Sequence, residues 1–256
     1  MSTSIIILAA GQGKRMRSPL PKVLHKLGEK TLLQHALAAA RGVEPDQLCV
    51  VVRHERDQVA AHISQVDPNA IIADQDEIPG TGRATWCALE QMKKVGSLGE
   101  TTLITSGDVP LLETATLRAL ADTHVRTGSA VTILSTVVPD AAGYGRIIRG
   151  EDDQVTHIVE ERDATAEQRK IREINAGIYA FSTDFLVGAL EKLDTNNDQG
   201  EMYLTDTIGA ATVAGLKVSA LVLEDSVQAE GVNNPEQLAE LSKIYESRKA
   251  GERDPQ

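Results

Sequence analysis

The sequence predicts an α/β fold: a doubly wound, mixed and mostly parallel sheet flanked by helices, with a smaller lobe built onto the same core. Three observations carry this reading. The run from Ser4 to Ala10 has no polar face, which suits the centre of a parallel sheet covered on both sides. Up to about residue 140, strand-like and helix-like stretches alternate in the rhythm of right-handed βαβ units. After Pro139 that rhythm breaks, and shorter strands joined by charged turns take over.

Taken in order, Ser4 to Ala10 is the first strand and Leu32 to Ala40 the first long helix. Leu48 to Val52 is a second apolar strand, followed by a helix through Ala60, Ala61 and Ile63. Ala70 to Ala73 makes a short third strand, Arg83 to Lys94 a helix after a glycine-containing loop, and Thr101 to Thr105 the next strand. Glu113 to His124 places Leu117, Leu120 and Ala121 on one helical face, and Ala130 to Val138 is β-rich. Beyond it, Tyr144 to Arg149 and Gln154 to Val159 read as strands around the turn Gly150-Glu151-Asp152-Asp153. Charged residues from Glu160 to Glu173 interrupt, and Ile174 to Phe181 resumes as a strand. Helices at Thr183 to Leu193, Asp206 to Ala214 and Pro235 to Arg248 surround a last strand at Val218 to Leu223, with Thr183 and Asn234 as expected N-caps.

Composition narrows the function. The 256 residues hold one large domain, or a domain with a modest lobe. Lys and Arg number 26 against 37 Asp and Glu, a net charge of -11, which argues against nucleic acid as a partner. With 41 % hydrophobic residues and a mean hydropathy of -0.18, disordered and membrane classes fit poorly. The apolar opening run follows no basic segment and leads into a glycine-rich turn, unlike a secretory signal. Cys49 and Cys87 form no metal-binding spacing and read as free thiols of a cytoplasmic chain.

The strongest chemical feature is the stretch LAAGQGKRMRSPLPKVL, Leu8 to Leu24. Leu8, Ala9 and Ala10 lead out of the strand into a loop with Gly11 and Gly13, and Lys14, Arg15, Arg17 and Lys22 supply four positive charges. The loop lies at the carboxyl end of a strand, where open α/β sheets bind ligands. Its glycines let backbone N–H groups approach an anion, and its cations suit a polyphosphate. It is neither a dinucleotide fingerprint, because Met16 replaces the third glycine, nor a Walker A loop, because Arg15 follows Lys14. A solvated basic turn is the alternative.

Two further loops follow strands. Ser106, Gly107 and Asp108 in SGDVP put a carboxylate where it can bind Mg²⁺ beside phosphates, although an Asp in a turn can be purely structural. Gln75 through Gly82, QDEIPGTG, offers an amide to a base edge and a close backbone approach at Gly80 and Thr81, or is a loop with no ligand. In the second half, Gly143 to Arg146 (GYGR) permits close approach to a ligand or forms a simple bulge, Glu160 ends a strand and Asn175 begins one. Either Asn233 or Asn234 can cap the last helix, which leaves the other needing a reason. Glu201 and Thr205 in GEMYLTD carry the same ambiguity, since Thr205 can cap the helix starting at Asp206. The six histidines fall in unrelated contexts, and no GxSxG nucleophile elbow occurs. Together these features suggest Mg²⁺-dependent transfer involving a nucleotide.

LAAGQGKRM followed by SPLPK resembles the opening signature of the sugar-1-phosphate nucleotidyltransferases. QDEIPGTGRA, SGDVPLL, GYGRI, HIVEERDAT, EINAGIY, QGEMYLTD and EGVNN then follow as in the N-terminal uridylyltransferase domain of bacterial bifunctional N-acetylglucosamine-1-phosphate uridyltransferases, over nearly the whole chain up to about Tyr245. The resemblance implies a Rossmann-like nucleotide-diphospho-sugar transferase fold with a sugar-binding lobe. It implies condensation of UTP with N-acetyl-α-D-glucosamine 1-phosphate, with Mg²⁺ as cofactor, giving UDP-N-acetylglucosamine for cell-wall precursors and pyrophosphate.

By matching motif, Leu8, Ala9, Ala10, Gly11 and Gly13 would contact the nucleotide, as would Ser106 and Gly107 beside Asp108. Arg15 and Lys22 would hold the triphosphate, and Gln75 would read uracil, helped by Gly80 and Thr81. Asp108 and Asn233 would bind Mg²⁺, while Gly145, Glu160, Asn175, Tyr203 and Thr205 would line the amino-sugar site with Glu201 in support. Lys14 stands where the family usually has a small hydroxyl residue, and Ser106 where relatives carry Tyr.

The implied organisation is one transferase domain over 1–248. Its nucleotide-binding part reaches about residue 140, its mainly sugar-binding part spans about 141–232, a closing helix covers 233–248, and a polar tail covers 249–256. Enzymes of this kind usually add a trimer-forming β-helix acetyltransferase domain, and no hexapeptide repeats follow Tyr245. The expectation is a monomer, either a truncated form or a single-function relative. Transfer to another sugar 1-phosphate and a non-catalytic nucleotide-sugar sensor are the alternative functions.

Overall fold

The computed structural model describes residues 2–195 and 199–253. The strands are β1 (Thr3–Leu8), β2 (Lys26–Leu27), β3 (Lys30–Thr31), β4 (Gln47–Val52), β5 (Ile71–Asp74), β6 (Thr101–Ser106), β7 (Val131–Val137), β8 (Arg146–Arg149), β9 (Val155–Val159), β10 (Glu173–Ser182) and β11 (Val218–Leu223). The helices are α1 (Leu32–Arg41), α2 (Arg56–Val66), α3 (Thr81–Val95), α4 (Thr114–Thr127), α5 (Thr183–Leu190), α6 (Asp206–Val213) and α7 (Pro235–Arg253).

Nine strands form one sheet in the order β11-β7-β10-β6-β1-β4-β5, with the β8–β9 hairpin attached to β10. β10 runs antiparallel to β6 and β7, while β1, β4, β5 and β6 are mutually parallel and β11 is parallel to β7. The chain therefore winds outward from β1 through β4 to β5, then returns to place β6 on the other side of β1. That reversal opens a crevice at the carboxyl ends of β1 and β6, the usual ligand position in such sheets.

Burial explains the sheet. Alternate residues of β1 feed two cores: Ile5 and Ile7 join Leu48 and Val50 on one face, and Ile6 joins Cys49 and Val51 on the other. Both faces are dry, so β1 has no polar side to show. A third, smaller cluster of Met16, Leu27, Leu32, Leu111, Val232 and Leu241 seats α7 beside the β2–β3 hairpin. Because β7, β10 and β11 belong to the main sheet, the second half of the chain extends the core and only the β8–β9 region projects from it.

Several expected boundaries move. Gly145 is not yet strand, since β8 starts at Arg146, whose guanidinium donates back to the carbonyl of Tyr144. Thr183 is the first helical residue of α5 with Ser182 at the N-cap, and that helix ends at Leu190 instead of Leu193. The buried Thr183 hydroxyl is engaged with that of Thr102 at 2.8 Å, so it is used in the core and not as a cap. The tail expected from Lys249 is helical as far as Arg253, because α7 continues, and 254–256 lie outside the described residues. Asn234 does cap α7: its Oδ1 accepts from the Gln237 amide at 2.8 Å.

Candidate active site

A cleft of about 650 Å³ opens over the carboxyl ends of the central strands. Its floor is the switch point itself. The Gly107 amide donates to the Leu8 carbonyl at 2.9 Å, and the Ala9 amide donates to Val51 at 2.9 Å, so the ends of β1, β4 and β6 are tied together.

The basic loop folds over this floor. Gly13 has φ +64, and a Cβ there would lie 2.7 Å from Cβ of Lys22, so a glycine is required where the loop crosses its own return. Lys22 forms an ion pair with Asp108 and also donates to Oδ1 of Asn233 at 3.3 Å. Arg15 donates to the same Asn233 oxygen at 3.1 Å. Asn233 is free for this because Asn234 takes the cap, while Gln237 returns to accept the Asn233 amide at 2.8 Å. The Val232 amide donates to the Asp108 carbonyl at 2.8 Å, fixing the two oxygen-bearing segments against each other.

The loop after β5 is equally constrained. The Gln75 Nε2 donates to the carbonyls of Ile78 (2.9 Å) and Gly80 (3.2 Å), which fixes its amide against the loop. At Gly80 (φ +114) a Cβ would fall 2.2 Å from the carbonyl oxygen of Met202, so only glycine passes. On the opposite wall, β10 bulges between Asn175 and Ile178; the Gly177 amide donates to Oδ1 of Asn175 at 3.0 Å, and Asn175 donates to the Tyr179 hydroxyl at 2.7 Å. A Cβ on Gly145 would sit 3.0 Å from Cγ2 of Ile158 and 3.4 Å from Oε2 of Glu160, so the glycine lets this segment lie close against the end of β9. Thr205 donates to Oε1 of Glu160 at 3.2 Å and does not cap α6 with its side chain.

Of the residues expected from sequence, Leu8, Ala9, Ala10, Gly11, Lys22, Gln75, Gly80, Thr81, Ser106, Asp108, Gly145, Glu160, Asn175, Glu201 and Asn233 line this one cleft. Gly13, Arg15, Gly107, Tyr203 and Thr205 are not among its lining residues. Gly13, Arg15, Gly107 and Thr205 act on lining residues, as described above, and the Tyr203 hydroxyl accepts from Gln199. Arg53, His54 and Gly231 line the cleft without having been named as candidates, and Tyr144 lines it within the GYGR motif. Arg53 and His54 directly follow β4, at the same carboxyl edge as the other loops, and that position is the signal for them.

Residues 5–175 match the model of the MobA-like NTP transferase domain. The chain belongs to this family. It is 53 % identical over 238 residues to the bifunctional protein GlmU of Pseudarthrobacter chlorophenolicus, covering 93 % of this chain and 48 % of that protein. To the protein of the same name from Kineococcus radiotolerans it is 48 % identical over 93 % of this chain and 48 % of the relative. To that of Streptomyces avermitilis it is 48 % identical over 96 % of this chain and 51 % of the relative. The chain thus spans about half the length of the curated relatives it matches.

Charge divides this transferase cleft. Burial pushes the Glu160 carboxyl above the usual carboxylate range, against the Thr205 hydrogen bond, and Asp163, Asp206 and Glu201 add to the rise. Burial, then the charges of Glu230 and Asp108, raises the Tyr144 phenol. On the basic side, burial and the neighbouring Arg53 and Lys14 hold His54 below its ordinary value, which keeps it neutral at pH 7. Among the described residues, no helix is long and apolar enough to cross a membrane.

Proposed function

We propose that the chain transfers a uridylyl group from UTP to N-acetyl-α-D-glucosamine 1-phosphate, releasing pyrophosphate. The observation that carries this reading is the junction of Lys22, Arg15, Asp108 and Asn233, set between an amide-presenting loop and a hydroxyl-accepting wall. Cations face the place where a triphosphate would lie, and Glu160 and Asn175 face the place of a sugar.

Gln75 supports uracil as the base. With its Nε2 bound to two carbonyls, its Oε1 would accept from the N3–H of uracil, whereas cytosine presents an acceptor at that position. On the other wall, Glu160 and Asn175 offer oxygens to sugar hydroxyls, and Glu201 belongs to the same wall.

The reaction requires no enzyme nucleophile. A phosphate oxygen of the sugar phosphate, already anionic at neutral pH, attacks the α-phosphorus in line; the new P–O bond forms as the bond to pyrophosphate breaks. The chain's task is to bring two anions together and offset their charge. Lys22 and Arg15 do the second, held in place through Asp108 and Asn233.

Magnesium fits the same pair. The Asp108 carboxylate and the Asn233 carbonyl are two hard oxygen donors that already converge on one positive charge, Lys22. A hard cation held by these two oxygens would take the rest of its ligands from substrate phosphates and water. When bound there, Mg²⁺ supplies charge to phosphate oxygens of both reactants. A reducing, cytoplasmic setting belongs to the same reading: Cys49 and Cys87 are free thiols, and burial pushes Cys49 up to about 12.

A coupled pyrophosphate assay over a panel of sugar 1-phosphates tests the reading. UTP, Mg²⁺ and N-acetylglucosamine 1-phosphate together should release pyrophosphate. Turnover of glucose 1-phosphate at an equal or higher rate would overturn the acceptor, and no release with any acceptor would overturn the activity.

A further inference from the structure

Two segments that serve different substrates in the proposed reaction are hydrogen-bonded to each other. The Met202 amide donates to the Pro79 carbonyl at 3.0 Å, and the Met202 carbonyl accepts from the Gly82 amide at 2.8 Å. The Thr81 hydroxyl accepts from the Leu204 amide at 3.1 Å. Gly80 makes the approach possible, since any Cβ would strike the Met202 backbone. Alternate residues of the second segment therefore divide the work. Met202 and Leu204 are buried under the base-reading loop, while Glu201 lines the cleft and Thr205 holds Glu160.

We infer that Thr81 is a positioning residue for the acceptor: its hydroxyl clasps the 201–205 segment to the base-reading loop, so that a nucleotide ordering that loop also orders the acceptor wall. The inference rests on the uridylyl-transfer reading for the identity of the two ligands, but the clasp itself is independent of them. A ligand that stiffens 75–82 lowers the cost of ordering 201–205 for the next ligand, and reciprocity requires the acceptor to tighten the nucleotide by the same factor. The Thr81 methyl makes none of these bonds, so serine should serve as well as threonine, and valine, which has nearly the same shape, should not.

Hydrogen exchange at the Met202 and Leu204 amides, followed with UTP, TTP or CTP, tests the clasp in the wild type, Thr81→Val and Thr81→Ser. UTP should slow both amides in the wild type and Thr81→Ser, and should lose its effect on Leu204 in Thr81→Val. In equilibrium binding, UTP should tighten the acceptor, and the acceptor should tighten UTP, by the same factor in the wild type and Thr81→Ser, and Thr81→Val should lose both effects together. The clasp is overturned if no triphosphate changes exchange at these amides, if Thr81→Val responds like the wild type, or if Thr81→Val keeps the wild-type coupling between UTP and acceptor. Slowing by CTP and not by UTP would keep the clasp and overturn the uridylyl reading instead.

Discussion

The two walls of the cleft carry opposite charge. The wall built from the loops after β1 and β4 presents Lys22 and Arg53, with Lys14 and Arg15 just outside. The wall built after β9 and before α6 presents Glu160 and Glu201, with Asp163 and Asp206 acting on Glu160. On the first, positive charge is held by glycine turns and by oxygens of Asp108 and Asn233. On the second, negative charge is held partly buried, at a cost visible in the raised Glu160 carboxyl. The difference teaches how one cleft could sort the two anionic substrates of the proposed transfer. A polyanion would be attracted to one wall and repelled by the other, while the carboxylates of the acidic side would offer acceptors to neutral hydroxyls.

The comparison breaks most completely at the junction between the walls. Asp108→Ala removes the carboxylate that holds Lys22 and one of the two proposed metal oxygens, and should lower kcat about a thousandfold with little change in melting temperature. A Mg²⁺-dependent rate equal to the wild type would remove Asp108 from the site. Next in size, Lys22→Met should lower kcat about a hundredfold and leave the acceptor KM nearly unchanged, because the charge it removes belongs to the triphosphate wall. A rise in acceptor KM without loss of kcat would show that the walls are not divided as described.

Much of the first wall was legible in the sequence and less of the second. β1 announces itself because five consecutive residues from Ser4 to Leu8 include only one that is polar, and the loop behind it concentrates four cations. Local chemistry sufficed there. Asn233 and Asn234 could not be told apart by type, since both can cap. The choice was made by Gln237, which accepts from one and donates its amide to the other. Thr205 looked like a cap for the same local reason, but its partner Glu160 lies 45 residues away in the chain. The contact of Thr81 with Leu204 spans 123 residues and leaves no local trace beyond the glycine at position 80. Apart from Arg53 and His54, which directly follow β4, what was missed is what long-range pairing decides.

The acidic wall makes a prediction in stability as well as in activity. Glu160 binds its proton more tightly in the folded chain than in the unfolded one. Its ionisation therefore removes stability as pH rises from the ordinary carboxylate range through its raised folded value, and the loss persists at neutral pH. Glu160→Gln keeps an oxygen for Thr205 and removes the charge. The acceptor KM should rise about tenfold, and the melting temperature at pH 7.5 should rise by about 2–4 °C, with no difference below about pH 4. Calorimetry showing a lower melting temperature at pH 7.5 would contradict the burial argument.

The smallest effect is expected at Lys14, which is exposed and sits at the outer edge of the basic wall. Lys14→Thr should raise the UTP KM by no more than about threefold, and by less at high salt, where exposed charges are screened. A large loss that salt does not diminish would place Lys14 inside the site.

The central claim is direct transfer between substrates held on opposite walls, with no covalent intermediate on the chain. UTP labelled at its α-phosphorus tests it most directly. After an acid quench at partial turnover, the account predicts label in UDP-N-acetylglucosamine in one-to-one ratio with pyrophosphate, and none on the protein. Label retained on the protein, or pyrophosphate released while the label appears as UMP, would contradict it.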